Sequence, residues 1–367
     1  MKIVLLVAPV EHGYSFLNQA NGLLRGLSIL KNEVSVIKAG EEDTNNNLKK
    51  YGPDVVISIG DWQDYPLLVN SPMQIGMHVI PWFVSDGSGE NFINSYNSLS
   101  CIAVPSQHSK LLMVQKGVRE ELITVVHEAV DSEYWHPIAS DELQSFLNLI
   151  SPSQAGFGLP VSYDLNSLID KDVPILFTTG GDATTKGAQE VISALAELDP
   201  KLPWVYIIKT WPSYNSFKYS IQELKLAEDL GIASRIRYIS GEFSRDFIRG
   251  LMNACDIYVA PSRREGFGLP LVEAQLCGKP VISLAAHATA ETILDNKTGF
   301  LIQAEETNGL TIANKADLKQ SLLKLLTDKS LRKKMGANAR NHAIKHFSPQ
   351  PVAEQMIKLI KTTSVTL

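Results

Sequence analysis

The segment IYVAPSRREGFGLPLVEA, residues 257–274, begins as a short apolar strand, continues through a loop with two glycines and ends in a helical pattern. Backbone N–H groups at the start of such a helix point outward and carry partial positive charge. Gly266 and Gly268 let the backbone approach a ligand closely. This arrangement suits a diphosphate or the hydroxyl groups of a sugar.

The rest of the second half repeats this order of strand and helix. Short β-branched and apolar runs, bounded by turn residues, alternate with helical patterns, which is typical of βα units and parallel sheets. A helix is predicted over Gly187 to Leu198, and the tail from Lys315 is helical, with a stripe formed by Leu318, Leu322 and Leu325. The predicted strands are Pro174 to Thr178, Trp204 to Lys209, Arg235 to Ile239, Ile257 to Ala260 and Pro280 to Leu284.

The first half shows the same alternation. Helices are predicted over Phe16 to Leu30 and over Ser106 to Lys116, and Gly117 is the stop signal of the second. The predicted strands are Lys2 to Ala8, Glu33 to Lys38, Asp54 to Ile59, Gln74 to Val79, Ser100 to Val104 and Leu122 to Val126.

The length of 367 residues is about twice that of a typical domain. The periodicity fades from Ile138 to Asp172, so this segment is predicted to join two doubly wound α/β domains. We expect a first domain over 1–165, a second over 166–346, and a C-terminal helix over 347–367 that packs back on the first. Ligands of open parallel sheets bind at the carboxyl ends of the strands, so a cleft shared by the domains is the expected active site.

Composition narrows the classes of protein that fit. Hydrophobic residues make up 44% of the chain and charged residues 20%, which excludes disordered and fibrous classes. The formal charge is −5 and no block of five like charges occurs, so no nucleic-acid partner is expected. The cysteines Cys101, Cys255 and Cys277 are interpreted as reduced thiols. No apolar run is long enough to span a bilayer, which indicates a cytoplasmic protein.

Two glutamates accompany the glycine loop. Glu265 lies in the loop and Glu273 lies inside the helix, so the helical rise of ~1.5 Å per residue separates them by roughly 10 Å. At that distance they would serve different parts of one long ligand. Taken singly, each glutamate also fits an N-terminal helix charge or a solvated side chain, and a lone Gly-x-Gly also fits a turn.

Taken together, these residues resemble a known family. Two glutamates separated by seven residues around Gly-Phe-Gly-Leu-Pro are similar to the motif of retaining glycosyltransferase family 4, within glycosyl transferases group 1. The resemblance covers most of residues 1–360 and is stronger in the second half. It continues through Asp256, AQLCGKPVI at 274–282, ATAETI at 288–293, TGFLI at 298–302, VPSQHSK at 104–110 and ITVVHEAVD at 123–131.

The resemblance implies the GT-B fold, in which two doubly wound, Rossmann-like domains face each other across a cleft. It also implies a nucleoside diphosphate-sugar donor, with Glu273 on the ribose hydroxyls and Glu265 on the hydroxyls of the sugar. Lys186 and Gly187 resemble the family's Lys-Gly pair at the diphosphate, where the lysine charge would stabilise the leaving group. Sugar and phosphate oxygens would be held by the backbone amides of Gly266, Phe267, Gly268 and Leu269.

Two further candidates depend on this resemblance. His78, after the predicted strand 74–79, resembles a family histidine near the reacting sugar, and the alternative is a structural histidine. The family's arginine before the lysine is absent from TTGGDATTK, residues 178–186. Arg263 or Arg264 is the candidate replacement at the phosphates, and a surface ion pair is the alternative.

Other enzyme classes fit these residues less well. A Rossmann dehydrogenase needs Gly-x-Gly-x-x-Gly, but Gly268 is followed by Leu269-Pro270-Leu271. A retaining glycosidase needs carboxylates about 5 Å apart, which the placement of Glu265 and Glu273 does not favour. Asp170-Lys171-Asp172 has an Asp-x-Asp form used for metals, but it precedes a strand and is interpreted as a linker charge cluster. We therefore expect no metal at the site.

The sequence thus predicts a retaining, hexosyltransferase-like enzyme without a cofactor, which moves a sugar from a nucleoside diphosphate donor to an acceptor hydroxyl. The resemblance implies that the leaving phosphate takes the acceptor proton on the same face. The alternative is a catalytically weak or inactive nucleotide-sugar-binding subunit, which the missing arginine favours. The sequence does not distinguish a glycan acceptor from a lipid-linked or a small-molecule one. It also does not identify the donor sugar, the nucleotide base or the oligomeric state. A further alternative is weak peripheral contact with the inner membrane surface, made by the basic residues Lys110, Lys116 and Arg119.

Overall fold

The computed structural model describes residues 1–9, 14–84, 90–139, 142–143, 145, 173–181, 185–211, 214–307 and 309–364. The chain divides into two compact units. The first comprises Met1–Ser132 and Ile344–Leu367, and the second comprises Glu133–Ala343. Each has its own parallel sheet, as the alternation of strand and helix in the sequence predicts.

The first unit is built on a six-stranded parallel sheet with the order β2-β1-β3-β4-β5-β6. The residues of β3 and β4 are buried throughout, because helices cover a parallel sheet on both faces. The strands are β1 Lys2–Val7, β2 Glu33–Lys38, β3 Val55–Gly60, β4 Val79–Phe83, β5 Ile102–Val104 and β6 Ile123–Val125.

The helices of the first unit lie between these strands, and the last one returns from the C-terminal end of the chain. A Cβ atom added at Gly26 would lie 2.0 Å from the backbone oxygen of Pro349, so a residue without a side chain permits this close approach. The helices are α1 Tyr14–Ile29, α2 Thr44–Tyr51, α3 Ser71–Gln74, α4 Ile93–Tyr96, α5 Gln107–Gln115 and α13 Pro349–Ser364, with 3₁₀ turns at Trp62–Asp64, Glu90–Phe92 and Glu120–Leu122 and a π turn at Pro66–Asn70.

The second unit contains a six-stranded parallel sheet with the order β12-β11-β10-β7-β8-β9 and a separate two-stranded antiparallel hairpin. The order reverses between β7 and β10, which lie side by side at the centre of the sheet. The strands are β7 Ile175–Thr179, β8 Val205–Thr210, β9 Ile236–Ser240, β10 Ile257–Val259, β11 Val281–Leu284 and β12 Gly299–Ile302, and the hairpin is β13 Ala304–Thr307 with β14 Leu310–Ala313.

The helices of the second unit cover both faces of this sheet. The leucine stripe predicted in the tail is confirmed, because Leu318, Leu322 and Leu325 are fully buried. The helices are α6 Ala188–Leu195, α7 Tyr214–Asp229, α8 Arg245–Ala254, α9 Leu269–Leu276, α10 Thr289–Thr292 and α11 Lys315–Thr327, with a 3₁₀ turn at Ala233–Arg235; α12 Lys329–Phe347 leads back into the first unit.

One predicted strand is wrong. The segment 74–79 is not a strand, because α3 extends to Gln74 and Gly76 then turns the chain with a positive φ of 82°. The strand at this place, β4, begins at Val79. His78 therefore lies before a strand and not after one.

The division between the units falls earlier in the chain than the expected boundary at residue 165. Tyr134 belongs to the second unit, where its hydroxyl donates to Asp246 Oδ1 of α8 at 2.9 Å. Arg249 of the same helix donates to the backbone oxygen of Tyr134 at 3.0 Å. Most of the expected linker over 138–172 lies outside the described residues. No helix in the described ranges is long and apolar enough to cross a bilayer.

Candidate functional site

Two loops at the carboxyl ends of β7 and β10 meet at the centre of the second sheet. Both follow the strand pair at which the order reverses, where open parallel sheets bind ligands. The backbone N–H of Arg263 donates to the backbone oxygen of Thr185 at 2.8 Å, which joins the two loops directly. We call residues 185–190 and 261–273 the loop pair.

Glycine is required at the start of the helix that follows each loop. Gly187 precedes α6 with φ of 73° and Gly268 precedes α9 with φ of 96°, both in the left-handed region that L side chains avoid. A Cβ atom at Gly187 would also lie 2.5 Å from the backbone oxygen of Pro261. Neither helix has a side-chain cap, and the partial positive charge at a helix start favours an anion.

The loop pair holds a lysine and a glutamate together. Lys186 Nζ donates to Glu265 Oε2, and the two residues are 79 positions apart in sequence. Their side chains are only 13% and 15% exposed, so the pair is largely shielded from water. A second contact fixes the glutamate's backbone, because the Ala288 N–H donates to the Glu265 oxygen at 3.3 Å. The structure thus brings together the two residues that the sequence placed at the diphosphate and the sugar.

Arg263 forms an ion pair within the second unit. Its guanidinium forms a two-point contact with Glu190 of α6, with Nε to Oε1 at 2.8 Å and Nη2 to Oε2 at 2.6 Å. This forked geometry is a strong form of ion pair, and it braces the second loop against α6. This contact uses only two of the five N–H groups of Arg263, so its expected role at the phosphates stays a prediction. The alternative of an ion pair describes it better, although the pair is mostly buried.

The other predicted loop residues offer backbone rather than side chains. The ring of Phe267 is buried at 2% exposure, so only its main chain can face a ligand. Gly268 is fixed by its left-handed conformation, and a Cβ there would lie 3.0 Å from Leu271 Cδ1. Gly266 precedes these two residues and Leu269 begins α9, and the expected contact of their backbone amides with a ligand stays a prediction.

Glu273 lies on the first turns of α9, partly buried. Burial raises the pKa of its carboxyl to about 7, and Arg245 at the start of α8 opposes this shift. Tyr258 of β10 is fully buried, and its pKa is raised well above the ordinary value, first by burial and then by Glu265 and Glu273. The charges of both glutamates thus act in the same direction on the pKa of this buried tyrosine.

His78 belongs to the first unit and stands at the amino end of β4. Its backbone oxygen accepts from the Val56 N–H at 2.8 Å, and burial lowers the pKa of its ring. Ligands of parallel sheets bind at the carboxyl ends, the opposite edge. The expected catalytic role of His78 therefore loses its geometric basis, and the structural interpretation describes the residue better.

The sequence did not single out Glu190 or Lys209. Glu190 is one turn beyond Lys186 at the start of a predicted helix, and only its contact with Arg263 reveals its role. Lys209 ends a predicted strand. A charged residue at the carboxyl end of a buried parallel strand is a sequence signal for a position near a ligand site. Among the described residues, no group of three His, Cys, Asp or Glu side chains could hold a metal ion. Asp170-Lys171-Asp172 lies outside those residues.

Comparison with known proteins agrees with this geometry. Residues 164–342 match the model of the family described as "Glycosyl transferases group 1", so the chain carries a domain of that kind. A D-inositol 3-phosphate glycosyltransferase of Corynebacterium jeikeium is 32% identical over 177 residues, which cover 47% of this chain and 40% of the relative. The chain spans less than half the length of the curated relatives it matches first.

Solved structures share the fold over the whole chain. Anabaena Alr3699/HepE in complex with UDP superposes with a TM-score of 0.75 at 18% identity, covering 99% of this chain and 100% of that one. Sucrose-phosphate synthase of Thermosynechococcus elongatus has a TM-score of 0.72 at 15% identity and full coverage of both chains. These neighbours are GT-B glycosyltransferases, so the expected fold class of two parallel-sheet, Rossmann-like domains is confirmed.

Proposed function

We propose that this protein is a glycosyltransferase that moves a sugar from a nucleoside diphosphate-sugar to an acceptor hydroxyl, with retention at the anomeric carbon and without a metal ion. The observation that carries the proposal is the pairing of Lys186 with Glu265 beside two helix starts that have no side-chain cap. Donors for an anion and a carboxylate for hydroxyl groups stand side by side there. A sugar diphosphate has both chemistries on adjacent atoms.

The diphosphate is assigned to Lys186 and to the first turns of α6 and α9. An ammonium has three N–H donors, so Lys186 can hold Glu265 and a phosphate oxygen together. The helix starts and the lysine then neutralise phosphate charge in place of a divalent cation. Glu265 accepts hydrogen bonds from hydroxyl groups of the donor sugar, and Glu273 accepts from the ribose.

The reaction breaks the bond between the anomeric carbon and the diphosphate oxygen. The bond between that carbon and the acceptor oxygen forms on the same face, and the acceptor proton passes to the leaving diphosphate. Negative charge on the diphosphate grows as the first bond breaks. Lys186 is therefore more strongly attracted to the transition state than to the bound donor, which is what accelerates a reaction.

The comparisons support the donor class without identifying the donor. HepE, which shares this fold, has been crystallised with UDP and with UDP-glucose. The curated relatives include D-inositol 3-phosphate glycosyltransferases, although the chain spans less than half their length. A nucleoside diphosphate-sugar is the donor that these findings and the loop pair have in common.

The test is a transfer assay with labelled UDP-, GDP-, ADP- and dTDP-sugars, an acceptor panel and EDTA throughout. We expect one donor class to give a glycosylated product whose anomeric configuration, read by NMR, matches that of the donor. Lys186→Met should lower kcat by about 100-fold or more, with a smaller change in KM. Lys201→Met, at an exposed lysine of the same unit, is the matched control and should leave both unchanged.

Three outcomes would contradict the proposal in different ways. An inverted product would refute retention, and activity that disappears with EDTA and returns with Mg²⁺ would refute metal independence. Binding of a nucleotide-sugar without transfer to any acceptor would favour the binding subunit that the sequence left as the alternative.

A further inference from the structure

The edge strand β12 of the second sheet carries no charged residue and no proline. Its sequence is Gly-Phe-Leu-Ile, residues 299–302. An edge strand presents unpaired N–H and C=O groups, so a hydrophobic one is a place where another chain can add a further strand. The edge strand β2 of the first sheet differs, because Glu33 and Lys38 at its ends oppose such pairing. Protection of β12 therefore has to come from outside the strand.

The backbone groups on the open side of β12 belong to Leu301 and Gln303. Ile302 faces the neighbouring strand β11, because its backbone oxygen accepts from the Ala285 N–H at 2.7 Å. Backbone N–H and C=O groups of successive residues in a strand point to opposite sides of that strand. Leu301 and Gln303 therefore direct these groups away from β11, toward any chain that approaches this edge.

Two aspartates bind these outward N–H groups. Asp295 Oδ1 accepts from the Leu301 N–H at 3.0 Å, and Asp317 Oδ2 accepts from the Gln303 N–H at 2.8 Å. Asp295 comes from the loop before the strand, and Asp317 comes from the first turn of α11. Hydrogen bonds to a carboxylate are roughly twice as strong as those between neutral groups, so a further strand would have to displace two strong contacts.

Asp317 bonds to β12 in place of its own helix. Asn314 is the N-cap residue of α11, and its side chain accepts from the Asp317 N–H at 2.8 Å. In a capping box the side chain three positions further on would accept from the N–H of the cap residue. Here that N–H of Asn314 donates to the Gln303 oxygen at 2.8 Å, and the Asp317 carboxylate accepts from the Gln303 N–H. The start of α11 thus binds both backbone groups of Gln303.

Space for another chain remains beside β12. A groove of about 530 Å³ lies there, and its lining includes Phe300 and Leu301 of β12 and Lys324 of α11. Asp295 and Asp317 line the same groove. The edge is thus bordered by α11 without being filled by it. A chain that entered the groove would meet the two carboxylates at the outward N–H groups.

We propose that Asp295 and Asp317 block this edge, and that β12 pairs with β12 of a second copy of the chain when both carboxylates are removed. In antiparallel pairing about Leu301, its N–H and C=O groups bond to those of the partner's Leu301. Such a contact has two-fold symmetry, so one strand supplies both halves of it. The two six-stranded sheets would then become one continuous sheet.

The test compares alanine with asparagine at the two aspartates, by sedimentation velocity over about a hundredfold range of protein concentration. Alanine has no acceptor, whereas the asparagine side chain keeps an oxygen that can accept from the N–H. We expect Asp295→Ala/Asp317→Ala to form dimers or larger species whose fraction rises with concentration. Asp295→Asn/Asp317→Asn should behave as the wild type does. Asp43→Ala/Glu228→Ala removes two exposed carboxylates elsewhere and is the matched control.

Hydrogen exchange at residues 299–303 then locates the contact. At low concentration this segment of the double alanine variant should exchange about tenfold faster or more than in the wild type, because two N–H groups lose their acceptors. At high concentration the protection should return as the new strand pairs. Faster exchange without association would leave the aspartates a local structural role and overturn the inference. Association that protects another segment, or equal association of the asparagine variant, would also overturn it.

The single variants Asp295→Ala and Asp317→Ala serve if circular dichroism shows that the double alanine variant does not fold. Each frees one N–H group, so each should still associate, but more weakly than a chain that lacks both carboxylates. The absence of association in both single variants would overturn the inference. None of these measurements uses a nucleotide, so their outcome does not depend on the proposed function.

Discussion

Glu273→Gln is expected to stabilise the unliganded second unit at high pH while it weakens nucleotide binding. Burial raises the pKa of Glu273 from 4.5 to about 7, so the folded protein holds this proton more tightly than the unfolded chain does. Folded stability therefore falls as pH rises from about 4.5 to 7, and the loss is complete above that range. Glutamine has nearly the same shape as glutamate but does not ionise, so the variant does not lose stability as pH rises through this range.

The magnitude follows from the two pKa values. A difference of about 2.5 corresponds to roughly 3 kcal/mol at about 1.4 kcal/mol per pKa unit. Glu273 is partly exposed, so solvent screening reduces the expected gain at pH 8 to about 1 to 3 kcal/mol. At pH 5 the carboxyl is already protonated in the folded state, and the gain falls below about 1 kcal/mol.

The assay is urea denaturation at pH 5, 6 and 8, with hydrogen exchange in β10 and α9 as the readout of the second unit. Glu228→Gln, at an exposed position of α7, should stay within about 0.5 kcal/mol of the wild type at every pH. A Glu273→Gln protein that is equally stable or less stable at pH 8, or whose gain does not depend on pH, would refute the reasoning. Tighter nucleotide binding would refute the assignment of Glu273 to the ribose.

Two further predictions concern how the loop pair is held. Gly187→Ala should lower the free energy of unfolding by about 2 kcal/mol or more, because the new Cβ atom would meet the Pro261 backbone oxygen. Gly231→Ala is the comparison, because Gly231 has a similar φ of 71° but lies in open space, and it should lower that free energy by only about 1 kcal/mol. Equal losses in melting experiments would contradict this. Arg263→Lys should lower stability by about 1 to 2 kcal/mol, because an ammonium cannot reproduce the forked contact with Glu190, and donor affinity should fall as the loop loosens. Wild-type stability in the lysine variant would show that the fork is dispensable.

Much of the fold was predictable because local patterns determine it. Buried parallel strands are apolar runs between turn residues, and the positions of β2, β7 and β11 follow from that pattern to within a residue. The sequence does not predict β4 at its observed position, because the strand contains Pro81, which has no backbone N–H and argues against an interior strand. The polar turn before it was mistaken for part of the strand.

The candidate site was predictable only in part. Lys186 and Glu265 were found as single residues, but their contact joins loops 79 positions apart and depends on the order of the strands. Arg263 was assigned by its charge, and the carboxylate that takes that charge lies on a helix 73 positions away. Local spacing carries no information about such partners, so residue types were easier to predict than what each side chain contacts.

Hydrogen exchange with and without nucleoside diphosphates tests the central claim most directly, because it needs neither the acceptor nor the sugar. With UDP, GDP, ADP, CDP and dTDP offered in turn, we expect at least one to protect the first turns of α6 and α9, residues 185–192 and 261–276, and to leave the hairpin β13–β14 unchanged. Glu273→Ala should reduce that protection at equal ligand concentration. Protection elsewhere in the chain, or none with any nucleotide, would contradict the assignment of the loop pair as the donor site.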